Sequence, residues 1–300
     1  MSEPAPERRQ TPEGGRAKPG SVTAFSHTRP GDTGPALRRI VELAQEAGVE
    51  VRLPAGEIEK HGLVPGAVEA PADGGLLDTG LALVLGGDGT ILTHLRKFAG
   101  TGVPVFAINY GAIGFLATVE PWELDDGIRR ALDGEIDVMA LPGLVAEIDG
   151  GEQLAVNDVS IHRRQNGRVA ELAYSVEGEE LGEVRCDGLV VSTPAGSTGY
   201  NLANGGPVLA WGVEGYIVSF IAPHTLTARS LVVAPGDRLE VTNRSRSEEV
   251  DVIGDGRSVG SLAPEGSMPI RFAHRQALLA QSPGASFYHR LRDKFGRLSY

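Results

Sequence analysis

Gly86-Gly87-Asp88-Gly89-Thr90 is a segment whose residue types and spacing suit chemistry. Glycines let the main chain turn sharply and bring bare N–H groups against phosphate oxygens. A carboxylate in such a cradle repels the anion it faces unless it has a task. The tasks that fit are accepting a hydroxyl proton and holding Mg2+. An Asp-Gly turn at a helix start is the plain alternative. A second segment, RCDGLVVSTPAGSTGYN from Arg185 to Asn201, carries hydroxyls at Ser192, Thr193, Ser197 and Thr198. Its small residues, Ala195, Gly196 and Gly199, leave room for a ligand against the backbone, and Tyr200 has a flat face suited to stacking on a base. Asp187 suits a ribose hydroxyl or an amide NH2. A surface hairpin is the alternative here, although such loops rarely run on into Gly205-Gly206-Pro207. The third segment, Asn157-Asp158, is apt for a ribose or an adenine edge and, taken alone, is usually just a turn.

The flanking patterns say what must position these residues. Leu81–Leu85 is apolar on both faces, as a central parallel strand is. It runs into the glycine loop, after which Ile91, Leu92, Leu95 and Phe98 recover a helical stripe. The loop therefore lies at the carboxyl end of a sheet, where open α/β folds bind ligands. Strands at 21–25, 50–53 and 103–108 and a helix from about Pro35 (Leu37, Ile40, Val41, Ala44) complete a doubly wound α/β domain over 21–118. Residues 61–80, rich in Gly, Pro, Ala and Asp, read as an irregular connection.

A short helix at 121–132 follows, with Leu124, Ile128 and Leu132 on one face. The remainder of 119–281 changes to short β-type runs at 144–148, 156–161, 170–176, 188–192, 217–221, 239–242 and 268–272. Gly, Asn, Asp or Pro turns separate them, as in a β-sandwich-like domain. In 282–300, Phe287, Leu291 and Phe295 predict a C-terminal helix that packs back on the first domain. Residues 1–20, with four prolines and almost nothing apolar, read as a disordered tail.

Composition bounds the partners. Lys plus Arg is 28 against 39 for Asp plus Glu, a formal net charge of −11 in 300 residues. That argues against sequence-independent nucleic-acid binding, which needs excess positive charge. It leaves room for a small anion at a locally positive site. The one cysteine, Cys186, excludes an internal disulfide and a Cys-rich zinc site and suits a reducing compartment. No apolar run reaches about 18 residues and the start has no signal-peptide core, so the expectation is a cytoplasmic chain with no membrane partner. Walker, Rossmann-fingerprint, G-x-S-x-G and H-E-x-x-H motifs are absent, and the 7 histidines show no metal-ligand spacing.

In order and spacing, GGDGT at 86–90, NYGAIGFL at 109–116, ND at 157–158, DGLVVSTPAGSTGYNLANGGPVL at 187–209, APHTLTARSLV at 222–232 and DGR at 255–257 resemble the NAD kinase family. The resemblance covers almost everything from residue 21 to the end of the sequence. GGDGT alone is shared with lipid kinases and phosphofructokinases; the TPxGSTxY loop with its PHTLxAR segment is far more specific. The resemblance implies NAD bound between an α/β and a β-rich domain. It also implies phosphoryl transfer from ATP or polyphosphate, with Mg2+ or another divalent cation, to the 2′-hydroxyl of the adenosine ribose.

By the same resemblance Asp88 is the general base, with Gly89 beside it against the phosphates. Asn157 and Asp158 hold ribose and nicotinamide-side groups. Asp187, Ala195, Thr198, Gly199, Tyr200, Asn201, Leu202 and Ala203 line the dinucleotide. Arg168, Arg185 and Ala222 fall at family contact positions. The sequence departs from the family pattern at Thr93 (commonly basic), Asp158 (commonly Glu), Gly199 (usually Ala), Ser230 (usually Pro) and Arg257 (often Gln). These departures bear on the choice of donor and on NAD against NADH. The family also implies a homodimer or homotetramer. Two other readings stay open: a lipid kinase of the same superfamily, which would need a membrane-facing patch not evident here, and a non-catalytic NAD(P) sensor, which would tolerate loss of Asp88.

Overall fold

The computed structural model describes residues 17–27, 30–62, 64–71, 78–111, 114–164 and 168–296. The expected tail up to residue 16, residues 63 and 72–77 of the 61–80 connection, and the last four residues lie outside that description.

Strands β1 (Ser21–Ser26), β2 (Glu50–Leu53), β3 (Val68–Glu69), β4 (Leu81–Gly86) and β5 (Val105–Asn109) form a parallel sheet in the order β5-β4-β1-β2-β3. Every residue of β4 is buried because helices cover both sheet faces. On one face, Leu37, Ile40 and Val41 of α1 (Pro30–Ala47) and Ile128 and Leu132 of α4 (Leu124–Leu132) pack on Val51, Leu83 and Leu85. On the other, Ile91, Leu92 and Leu95 of α3 (Asp88–Lys97) pack on Phe25, Ala82 and Val84. The chain leaves β1 toward β2 and β4 toward β5, in opposite directions along the sheet. The crevice of a doubly wound fold therefore opens where β4 hands over to α3.

Local details correct the sequence reading. Helix α1 begins at Pro30 and takes Pro35 inside it; Asp32 in its first turn suits the positive end of the helix dipole. The 61–80 connection contains the end of α2 (Ala55–His61) and the two-residue strand β3, parallel to β2.

The β-rich part comprises β6 (Asp137–Ile148), β7 (Gly151–Ala155), β8 (Asp158–Arg163), β9 (Ala170–Val176), β10 (Glu179–Cys186), β11 (Gly188–Ser192), β12 (Tyr216–Ile221), β13 (Leu231–Val233), β14 (Leu239–Asn243), β15 (Val250–Gly254), β16 (Arg257–Leu262) and β17 (Ser267–Gln281). Six of them form a separate sheet, β13-β12-β11-β8-β15-β16. Its Val159, Ile161, Leu189 and Val218 meet Leu172, Val241 and Ile270 of the other sheet across a sandwich core. The runs expected at 144–148 and 268–272 are parts of strands of 12 and 15 residues. Strand β17 pairs antiparallel with β14 and β6, then parallel with β5 through Leu279 and Ala280. One continuous sheet thus joins the β-rich part to the α/β part. The last helix, α6 (Phe287–Phe295), returns to the α/β part, where Phe287 and Leu291 join the cluster holding Ile91 and Phe115.

Candidate active site

Asp88 opens α3 directly after β4, with Gly87 at the cap position and no side chain capping the helix start. The N-terminal N–H groups and the positive end of the dipole are therefore available to an anion. A Cβ at Gly111 would lie 2.7 Å from Gly87 Cα. The two loops meet backbone to backbone, which leaves no room for a side chain at Gly111.

The Asp88 carboxylate accepts the Phe115 N–H at 3.0 Å to each oxygen and the Leu116 N–H at 3.1 Å. The Phe115 ring is wedged among Trp211, Phe287 and Phe295, and its carbonyl accepts from Arg290 Nη1 at 2.8 Å. Burial pushes the Asp88 carboxyl above the ordinary range, while the two N–H groups and the Lys294 and Arg290 charges pull it back. A carboxylate with a raised pKa, held at a helix start left open to an anion, is equipped to take a hydroxyl proton.

The hydroxyl-rich loop lies on the Asn157-Asp158 segment. The Thr193 N–H donates to the Asn157 carbonyl at 2.9 Å and Thr193 Oγ1 to the Val156 carbonyl at 2.7 Å. A Cβ at Gly196 would come 2.2 Å from the Asn157 oxygen, so only glycine fits that crossing. Ser192, Thr193 and Ser197 are fully buried and bond to backbone carbonyls. Of the four hydroxyls of the segment, these three tie the loop together, and Thr198, the one assigned to the dinucleotide, is half-exposed. Asn201 is also fully buried, donating to the Ser197 and Pro207 carbonyls at 3.0 and 2.9 Å. Its carboxamide clamps the loop because a turn closing on itself needs internal donors. Ala195 packs in the cluster that holds Ile91, Leu92, Phe115 and Leu116, which sets this loop against the elements around Asp88.

Asp255, in the DGR turn, organises the junction. Its carboxylate accepts from the N–H groups of Val156 (2.9 Å), Asn157 (2.7 Å) and Asp158 (3.1 Å) and from Arg96 Nη1 (3.0 Å). Those N–H groups point at Asp255, which is why β8 begins at Asp158 and not at Val156 as the apolar pattern predicts. Burial, followed by the Asp255 charge, pushes the Asp158 carboxyl up to about 7. Asn157 Oδ1 is buried with no partner among the described residues, an acceptor suited to a ligand hydroxyl or amine.

Tyr200 is exposed at the rim and stacks on His162 at 5.7 Å and 11°. Its hydroxyl is pushed up by burial and then by the Asp158 and Asp187 charges, so it sits near both carboxylates. Gly199 and Ala203 are exposed and Leu202 half-buried on the same short stretch, α5 (Tyr200–Ala203) with its preceding residue.

Of the remaining sequence-predicted residues, Asp187 neighbours Tyr200, while Arg168 and Arg185 line a separate groove. Asp187 pairs with Arg163 at 2.6 Å, its N–H donates to the Ile221 carbonyl just before Ala222, and the His224 N–H donates to the Arg185 carbonyl. Arg168 and Arg185 line a groove of about 330 Å3 with Glu171 and residues 245–248, which includes none of the residues around Asp88. Thr93 is exposed and bonds back to the Gly89 carbonyl, and Arg257 is exposed at the start of β16. A larger cavity, about 760 Å3, lies between the 147–152 hairpin and residues 261–269 and contains none of the predicted site residues.

Sequence reasoning gave no role to Asp255, Arg96 or Arg290. The DGR turn carried a usable signal, since Asp255 has a φ of 46°, a conformation that short polar side chains adopt most readily. Arg96 and Arg290 carried none, because a cation on an amphipathic helix reads as solvent-facing.

A glycine-rich helix start with a half-buried carboxylate, packed against a glycine- and hydroxyl-rich loop of a β-rich layer, is an architecture suited to a small-molecule kinase. The comparisons make the class specific. Residues 77–136 match the family model described as ATP-NAD kinase N-terminal domain, and residues 156–282 the ATP-NAD kinase C-terminal domain. The NAD kinase of Gemmatimonas aurantiaca is 37% identical over 224 residues, covering 71% of this chain and 76% of that protein. That of Bifidobacterium longum is 33% identical over 288 residues, 92% of this chain and 81% of the relative. Among solved structures, an NAD kinase from Archaeoglobus fulgidus in complex with ATP matches at TM-score 0.72 and 26% identity, over 92% of this chain and 97% of that one. Yeast NADH kinase complexed with NADH shares the fold at TM-score 0.81 and 20% identity, over 93% and 90%. The chain belongs to the NAD kinase family. Among the described residues no helix is long and apolar enough to cross a membrane.

Proposed function

We propose that this chain transfers the terminal phosphoryl group of ATP to the 2′-hydroxyl of the adenosine ribose of NAD, with Asp88 as general base. The observation that carries the assignment of Asp88 is its half-buried carboxylate at the open start of α3, fixed by two backbone N–H groups. The base takes the 2′-hydroxyl proton as the oxygen attacks phosphorus and the bond to the leaving ADP oxygen breaks. A positioned base contributes roughly 10²–10⁴-fold; orientation and electrostatic stabilisation supply the remainder.

Asn157, Asp158, Ala195 and the 198–203 stretch are assigned to the dinucleotide, supported by the orphan Asn157 oxygen and the exposed Tyr200 ring. Gly89 is assigned to the donor phosphates, with Thr93 one turn on. Among the described residues no three His, Cys, Asp or Glu side chains converge on one point. The divalent cation is assigned to the donor, arriving on its phosphates, as Mg2+ commonly does. Polyphosphate is the second donor to be tried. Arg168, Arg185, Asp187, Ala222 and Arg257 form a separate part of the proposal, contacts made at the far end of the ligand or between subunits. A homodimer or homotetramer goes with it, supported by the exposed Leu181, Leu226 and Val232 side chains, and sedimentation velocity checks it. A cytoplasmic setting is proposed on the same basis as the reducing environment that its one buried cysteine suits.

The test is incubation with NAD, Mg2+ and either ATP or polyphosphate, with NADP read by a coupled dehydrogenase. NADP formation with one donor names the donor. No NADP with either, despite NAD binding, rejects the reading.

A further inference from the structure

Arg290 lies on α6, 175 residues from Phe115 in sequence, and is only 8% exposed. Its guanidinium lies over the Trp211 ring at 4.7 Å, and its Nη2 is buried without a partner among the described residues. Burying a guanidinium in such surroundings is costly unless its charge is used. No carboxylate pairs with it directly among the described residues. Holding the Phe115 carbonyl would need only a neutral donor. The carbonyl that Nη1 reaches, however, belongs to the peptide group joining Phe115 to Leu116. The N–H of that same peptide donates to Asp88 Oδ1.

We infer that Arg290 is a positioning residue for the general base, acting through the 115–116 peptide to orient the Asp88 carboxylate and hold it ionised. This inference rests on the kinase reading above. A cation on the carbonyl side of a peptide strengthens the donor on its other side, because hydrogen bonds in series polarise one another. The guanidinium also acts on the carboxylate through a water-poor region, where charge interactions are strong. Burial lowers Arg290 to about 10 while the Asp88 charge raises it, so it stays a cation at neutral pH. The other cation acting on Asp88 is Lys294 of the same helix, and it is engaged by Glu120 at 3.2 Å. Glu120 also accepts from Asn109 Nδ2. Lys294 thus acts through space from an ion pair, whereas Arg290 acts through the peptide from which Asp88 itself accepts.

The test compares Arg290→Gln, Arg290→Lys and Lys294→Gln with the parent in two measurements. One is the pH profile of NADP formation. The other is the titration of the Asp88 carboxyl carbon by NMR in Asp-labelled protein, assigned by its loss in Asp88→Asn. Arg290→Gln should move both the acid limb and the Asp88 titration up by about one pH unit, with KM for NAD unchanged. Arg290→Lys should fall between Gln and the parent, and Lys294→Gln, which removes the other cation acting on Asp88, should raise the titration as well. An Asp88 titration unmoved in Arg290→Gln overturns the inference even where kcat falls, since a purely structural role would lower rate without moving the titration. Should Arg290→Gln not fold, a titration in Arg290→Lys that coincides with the parent's does the same. If the parent makes no NADP, the kinase reading fails, while the NMR titration still decides whether Arg290 acts on Asp88.

Discussion

Arg96 Nη1 donates to Asp255 Oδ2 at 3.0 Å across 159 residues of sequence, with the Asp255 side chain fully and the Arg96 side chain nearly excluded from water. Arg96 belongs to the helix that begins at Asp88. The other contacts of Asp255 are the N–H groups of 156–158, on which the ligand loop lies. This buried ion pair, together with the packing of Ala195, therefore holds the 86–90 loop and the 193–203 loop in one frame.

Removing one partner of a buried pair leaves an uncompensated charge and costs about 3–5 kcal/mol. Asp255→Ala strands Arg96 together with the three N–H donors. Its urea midpoint should fall well below the parent's, and in the protein that remains folded KM for NAD should rise more than kcat falls. A stable variant with normal KM would mean that the two loops are held by packing alone.

Asp88→Asn keeps the shape of the side chain and removes its basicity. Turnover should drop by roughly 10²–10⁴-fold while NAD binding, followed by calorimetry, persists. Equal turnover in the two proteins would remove Asp88 from the role of base.

Gly196→Ala adds one methyl group where the main chain of residue 157 already stands 2.2 Å from the Cβ position. A backbone cannot give way as a flexible side chain does, so the loop must shift. Overpacking of this kind typically costs about 1–3 kcal/mol. NAD affinity should weaken along with thermal stability, whereas Gly89→Ala, with nothing within 4 Å of its Cβ, should fold normally.

What the sequence made legible was what patterns can express. The both-sided burial of 81–85 and the glycines after it announce a central strand feeding a ligand loop, and Asp88 stands where that pattern places it. Side-chain direction was not legible. The sequence could not say which hydroxyls of the loop are turned inward, and Ser192, Thr193 and Ser197 are, each closing the loop on a backbone carbonyl. Asp255 escaped because its partners lie about 100 residues upstream. Arg290 escaped because the stripe Phe287, Leu291, Phe295 marks the buried face and gives no notice of a cation folded in beside it.

Asp158 supplies a pH dependence whose direction follows from its surroundings. Burial and then the Asp255 charge raise it to about 7 in the folded chain, against about 3.9 for an unfolded aspartate. Between those values the native protein holds a proton that the unfolded chain has released. Stability from this group therefore falls as pH rises through that window, and the full penalty applies above about 7. Asn is a neutral isostere of the protonated acid and carries no such penalty. Each tenfold change in a protonation equilibrium is worth about 1.4 kcal/mol. Asp158→Asn should therefore match the parent near pH 4 and exceed it by a few kcal/mol at pH 8. Urea midpoints at pH 5, 6.5 and 8 read the difference. A gap between the two proteins that does not widen with pH would mean that Asp158 ionises as an ordinary carboxyl, and that its neighbour's charge is fully absorbed by Arg96 and the three N–H groups.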